Sequence, residues 1–412
     1  MPEPGRSPRS LRRHVFFIAG YDPMDARGHH RIFTRESARF AAVWRVNTEA
    51  EREPHISPTG AFWHARARGP GWESTTCFEL LAWNEIVKAD MTRSRWSHFV
   101  GSARALWDMA VTGTVLRYFL FSRRYGIFFA LTYVALAVMA GLGIFGGILV
   151  HGRLAPHGPL LALVAGVAAA GVIFGGLMAS LGTRMRLQQS LHLAEFSVDF
   201  VRGRHPAIAA RIEAFADRLM SVARAGEVDE ILLIGHSLGA MHATSLVARA
   251  LEKDPDFART TPVRLVTAGS TAAKFALHPA GAALRAAAWR VHADDTIPWV
   301  EFQARDDIVS FYKVDPVSLT RVGDGDATRR PFVRQVKIRQ MMTPDTYRRY
   351  RLDIMRLHCQ FFLANDTRAA YDFYAFIHAP IAVLDLVAHS EGPQAIFDAE
   401  GGLMADASVE HP

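Results

Sequence analysis

Thiols are almost missing from this chain. Among 412 residues only Cys77 and Cys359 occur, which excludes a disulfide framework and a clustered-cysteine metal site. No secretory leader is expected either. Residues 1–13 are polar, basic and contain proline, and the apolar run after them, Val15 to Ala19, is too short for a signal core. Residues 1–13 are therefore expected to form a disordered basic tail. There is no Walker phosphate loop and no H-E-x-x-H zinc pattern. Gly323-Asp324-Gly325-Asp326 resembles a fragment of a calcium loop, but the other ligand positions are lacking and a turn is expected there. Neither a metal nor a cofactor is expected. The net charge is +7, yet the basic residues are dispersed, arginine greatly outnumbers lysine, and aromatics do not alternate with them. Nucleic acid is therefore not an expected partner.

Charge is also missing locally. Residues 125–152 and 154–183 contain no Asp, Glu, Lys or Arg. Each stretch exceeds the roughly 20 apolar residues that a helix needs to cross a hydrocarbon core. The expectation is a transmembrane hairpin with spans at about 126–150 and 159–181. Gly143 and Gly147 in the first span, and Gly171 and Gly175 in the second, are four apart, a spacing that lets helix backbones approach closely. Gly141 to Gly146 formally fits a dinucleotide fingerprint, but it lies inside a span and not between a strand and a helix. The turn between the spans carries only Arg153, whereas Arg123, Arg124, Arg184 and Arg186 flank the outer ends, so both termini are expected on the cytoplasmic side. Residues 96–124 read as a helix approaching the bilayer, with Trp96, Trp107 and Tyr118 suited to its interface.

Outside the hairpin, strand and helix patterns alternate. Strands are expected at 15–19, 61–67, 76–82, 231–234, 263–267, 287–292 and 309–314. Helices are expected at 31–44, 207–224, 241–251, 344–365 and 369–388. The alternation predicts an α/β class with a mostly parallel sheet. Ser237 lies in Gly235-His236-Ser237-Leu238-Gly239, between an apolar strand and a helix. In that context G-x-S-x-G describes a sharp turn that presents a serine hydroxyl at the top of a sheet, with glycines where main chain passes close. The alternative is an ordinary serine in a tight turn.

From about residue 195 to 365 the chain resembles the α/β-hydrolases, and within them the class 3 lipases. The similarity rests on GHSLGA at 235–240, LVTAGS at 265–270, DTIP at 295–298 and a late His358. It implies Ser237 as nucleophile, Asp295 as the carboxylate that orients the base, and His358 as general base, in the Ser, Asp, His chain order of that fold. It also implies oxyanion donors at the Leu238 N–H and in the loop after the first strand, where Tyr21 is the candidate. Ala240 stands where those lipases commonly have glycine, and Gly20-Tyr21-Asp22-Pro23 differs from their oxyanion loop. Asp294, Asp306 and Asp307 remain alternative acids. His292, His378 and His389 remain alternative bases, and His236 is expected to be structural.

The implied organisation is a hydrolase domain formed by residues 14–112 and 191–412, interrupted by a membrane hairpin with its flanks at 113–190. An even number of spans is required, because strands on both sides of the hairpin should share one sheet. The implied activity is a membrane-anchored serine hydrolase of the lipase or esterase type, acting on carboxylic esters, lipid esters among them, at the bilayer. The alternatives are an amidase or thioesterase with the same machinery, and a non-catalytic membrane scaffold on the same fold.

Overall fold

The computed structural model of the chain describes residues 9–322 and 331–404, so Gly323–Asp326 lies outside the described residues. The chain forms two compact units, one of Met1–Thr92 with Val201–Pro412 and the other of Arg93–Phe200. The inserted unit is thus wider than residues 113–190.

Among the described residues the first unit is an α/β fold built on nine strands: β1 (Arg9–Ile18), β2 (Asn47–Ala50), β3 (His55–Ser57), β4 (Gly60–Gly69), β5 (Trp72–Leu81), β6 (Glu230–His236), β7 (Val263–Ala268), β8 (Trp299–Ala304) and β9 (Phe332–Val336). Their order is β2-β4-β5-β1-β6-β7-β8-β9, with β3 paired to β4. From β5 to β9 every pairing is parallel, and β2, β3 and β5 pair with β4 antiparallel. β6 is buried along its whole length, as expected of a central parallel strand covered on both faces. Phe33, Phe40 and Trp44 of the helix Ala26–Trp44 join Val15, Phe17, Ile234, Phe302 and the helix Phe373–His378 in one core. The helix Leu238–Lys253 packs on β6 and β7, and against the helices Pro206–Ala225 and Ala282–Ala293.

Several expectations are corrected. Residues 9–13 are not a tail but the first half of β1, and residues 1–8 lie outside the described residues. Arg13 is buried, where its guanidinium bonds Glu230 at 2.9 Å and the carbonyls of Ile377, Ala379 and Ile381. Residues 287–292 belong to the helix Ala282–Ala293, in line with its alanine content. The strand in this region is β8, which was not expected. Residues 309–314 form no strand. Their backbone is held by the side chain of Gln303, which donates to the Val314 carbonyl at 2.6 Å and accepts from its N–H at 3.2 Å. The two long C-terminal helices are short pieces, at Pro344–Tyr350, Ile354–His358, Phe373–His378 and Val383–Ala388.

Glu301 on β8 is buried against the Thr267 hydroxyl. Burial pushes its carboxyl up to about 7, and the hydrogen bonds from Thr267 and Gln303 only partly offset this. The unfolded chain loses that proton near 4.5, whereas the folded chain keeps it until about 7. Stability should therefore fall as pH rises between those values and level off above them. Glu301→Gln is expected to remove this fall and to gain roughly 3 kcal/mol at pH 8 relative to wild type, measured by denaturant unfolding across pH.

The second unit contains two helices long and apolar enough to cross a membrane, Arg123–His157 and Pro159–Gly182. They pack closely, but not through both glycine pairs expected. A Cβ added at Gly147 would lie 2.5 Å from the Gly166 carbonyl oxygen, and one at Gly143 would lie 2.9 Å from that of Ala170. The second helix thus contributes Gly166 and Ala170, whereas Gly171 and Gly175 face open space. Gly147→Ile should destabilise the hairpin by about 1–3 kcal/mol through overpacking, whereas Gly171→Ile should not. Thermal midpoints in detergent would separate the two. Tyr118, expected at a bilayer surface, is instead buried against Tyr125 and Phe129.

Candidate active site

All strands from β5 to β9 run the same way, so the loops after β1, β6, β7 and β8 emerge at one edge, the place where α/β sheets carry their sites. Ser237 follows β6 there with φ 57° and ψ −119°, a conformation that L residues rarely adopt and that costs on the order of 1–3 kcal/mol. The flanking glycines make this turn possible. A Cβ at Gly239 would lie 2.0 Å from the Ile18 carbonyl oxygen, and one at Gly235 would lie 2.5 Å from the Ala240 Cα. Neighbouring backbone fixes the turn, with the Ser237 N–H donating to the Ala268 carbonyl at 3.1 Å and the Thr271 N–H donating to the Ser237 carbonyl at 3.3 Å. Ser237 is half-buried among fully buried neighbours.

The loop after β1 crosses this serine. A Cβ at Gly20 would lie 2.9 Å from Ser237 Cβ and 3.2 Å from its Oγ, so only glycine fits. Tyr21 follows directly, with its hydroxyl bonded to the Asp90 carboxylate. Asp22 shapes the same turn, its N–H donating to the Gly20 carbonyl and its carboxylate accepting from the Met24 N–H. Leu238, the other expected donor, is the first residue of the helix Leu238–Lys253, where amides have no acceptor within the helix.

His358 ends the short helix Ile354–His358 and is buried. Its Nδ1 lies 2.8 Å from Asp307 Oδ2, three residues beyond the end of β8. Asp307 also accepts from the Ser310 hydroxyl at 2.6 Å and from the Val309 N–H at 3.0 Å. Burial opposes charge on this carboxylate. The neighbouring His358 and the three hydrogen bonds outweigh that cost and hold its carboxyl below the usual range. With Nδ1–H donated to Asp307, the ring presents the lone pair of Nε2, which is buried and accepts no hydrogen bond from the described residues. Gly269, after β7, closes the cluster: a Cβ there would lie 2.9 Å from the Phe361 ring and 3.3 Å from Asp307 Oδ2.

His236 links the two halves. Its Nε2–H donates to the His358 carbonyl at 3.0 Å, and the two rings lie 4.7 Å apart. Burial and the charge of His358 push this imidazole down to about 3, so it stays neutral and structural. The residue before the serine thereby clamps His358.

Asp295 does not join the cluster. It is exposed in the bend before Trp299, at the N-terminal end of β8 and hence at the opposite edge of the sheet from Ser237. Asp294, beside it, accepts from the Thr296 N–H and hydroxyl within that bend. Asp307 stands where Asp295 was expected. The signal that identifies it is its position just after a strand that runs parallel to β6. His378 is also set apart, bonded to the Ser37 hydroxyl at 2.6 Å.

Fold and site together define an α/β protein with a serine, a histidine and an aspartate at the C-terminal edge of a mostly parallel sheet. No protein-family model matches the chain, and no curated protein or solved structure matches it.

Proposed function

We propose that the chain is a membrane-anchored serine hydrolase of the α/β-hydrolase type that cleaves carboxylic esters through an acyl-enzyme. The observation that carries this reading is the buried Asp307–His358 pair on the sheet edge that bears the strained Ser237. In the reaction the Ser237 hydroxyl attacks the ester carbonyl while His358 Nε2 takes its proton. Asp307 keeps the ring in the required tautomer and stabilises the imidazolium. The carbonyl oxygen becomes an oxyanion received by the N–H groups of Leu238 and Tyr21. Collapse of this intermediate expels the alcohol, which takes the proton from His358. Water then attacks the acyl-serine, giving up a proton to His358, and the acid leaves as serine regains its hydrogen. His358 Nε2 accepts no hydrogen bond from the described residues, and the contact between such a base and its hydroxyl commonly tightens only in the Michaelis complex.

The two apolar helices support a membrane anchor. β1 and β6, which precede and follow the hairpin, are adjacent in one sheet, which supports an even number of crossings. Arg123, Arg124, Arg184 and Arg186 favour the cytoplasmic side for both ends. An acyl ester presented at or near the bilayer is the substrate class that fits such an anchor. Turnover of nitrophenyl esters of increasing chain length, by wild type and Ser237→Ala in lipid nanodiscs, tests the reading. Wild type should hydrolyse at least one ester and the variant should fall to background. Equal rates would refute it.

A further inference from the structure

The helix Arg95–Val111 is arranged the wrong way round for water. Its buried side carries a charged contact, His98 Nδ1 lying 2.9 Å from the buried Glu195 carboxylate, while Arg104, itself exposed, reaches across to bond both oxygens of Asp199 at 2.7 and 2.8 Å. Gly101, Ala105 and Met109 complete the buried stripe. Around Arg104 the outward stripe is apolar. Trp96 and Trp107 are 72% and 71% exposed, and Phe99, Val100 and Val111 are exposed between and beyond them at helical spacing. The next helix, Thr114–Phe121, continues the pattern with exposed Leu116 and Leu120. Trp96 and Phe99 stack on each other with ring centroids 5.5 Å apart and both stay largely exposed.

We infer that residues 95–121 lie in the plane of the membrane and seat this stripe in the headgroup region of an anionic leaflet. Two features select lipid as the occupant. The segment runs through Ser122 into the long apolar helix Arg123–Leu154, so it emerges beside a span and not at a distant surface. Residues 93–124 also contain six arginines, at 93, 95, 104, 117, 123 and 124, against the single acid Asp108; Glu195 and Asp199 engage Arg93 and Arg104, and Arg95, Arg123 and Arg124 are exposed. A basic, tryptophan-bearing amphipathic helix is the type that binds at the level of anionic headgroups. A docking protein would find no such continuity with the spans. The inference rests on the membrane reading of the hairpin, and its test keeps the two apart.

The full chain would be reconstituted into phosphatidylcholine vesicles, with and without phosphatidylglycerol, carrying a phospholipid with a photoreactive headgroup and another with a photoreactive acyl chain. Crosslinked residues would be mapped by mass spectrometry. Headgroup crosslinks within 95–121, rising several-fold with phosphatidylglycerol, are the expected result, alongside acyl-chain crosslinks in both spans. Trp96→Glu/Trp107→Glu should lose the former and keep the latter; if that variant does not fold, the wild-type map decides. Labelled spans with residues 95–121 unlabelled would overturn the in-plane placement and leave the anchor intact. Label in 95–121 without label in the spans would keep the placement and refute the spanning hairpin, and no label in either would refute both. Labelling of 95–121 that ignores phosphatidylglycerol would overturn the choice of an anionic leaflet.

Discussion

Asp307→Asn is expected to lower kcat/KM for a short-chain ester by about 10⁴-fold, while Asp295→Asn should leave it within roughly twofold. The contrast follows from direction in the sheet. Asp307 lies beyond the C-terminal end of β8, where its Oδ2 is 2.8 Å from His358 Nδ1, and Asp295 lies exposed before the strand begins. An amide at 307 can direct its NH₂ group at the ring nitrogen and drive the imidazole into the tautomer whose Nε2 bears hydrogen and cannot take a proton from serine. It also removes the negative charge that stabilises the imidazolium. Removing a solvated charge at 295 does neither. Steady-state rates of the two variants decide the matter, and circular dichroism checks that both retain the fold. A loss at 295 with none at 307 would restore the assignment implied by the lipase resemblance.

His358→Ala is expected to cost on the order of 10⁴–10⁶ in kcat, because serine then lacks a base and the leaving alcohol lacks an acid. The combined variant His358→Ala/Asp307→Asn should be scarcely slower than His358→Ala alone. Once the imidazole is gone the carboxylate has nothing to orient, so residues acting as one unit show losses that do not multiply. Full multiplication of the two losses would mean that Asp307 acts on its own, apart from His358. Stopped assays at high enzyme concentration would resolve the residual rates.

Local sequence demands and tertiary context divide these elements. The elbow was legible because its demands are local: a central apolar strand, a serine, and glycines at 235 and 239 where the Ile18 carbonyl and the Ala240 backbone press in. The two apolar helices were legible for the same reason, since absence of charge over some 20 residues needs no tertiary context. The pairing of His358 with Asp307 was not legible, because it depends on which segment is the strand. Trp299–Ala304 carries Glu301 and Gln303 inside a fully buried strand, so its pattern does not advertise a core position. The alternation in Trp289–His292 does look strand-like but belongs to a helix rich in alanine. The DTIP match at 295–298 pointed to Asp295, whereas the carboxylate that meets His358 lies one element later, after β8. Gly166 and Ala170 were missed differently. Glycine spacing marks surfaces that can approach closely, and only packing selects which of several such surfaces does so.

The central claim is that Ser237 is an activated nucleophile, and covalent capture tests it most directly. The full chain in nanodiscs would be treated with a fluorophosphonate, digested and mapped by mass spectrometry. A single adduct on the peptide containing Ser237 is expected, formed far more slowly in Asp307→Asn and absent from Ser237→Ala. An adduct on another residue, or none under conditions where the ester is hydrolysed, would contradict it.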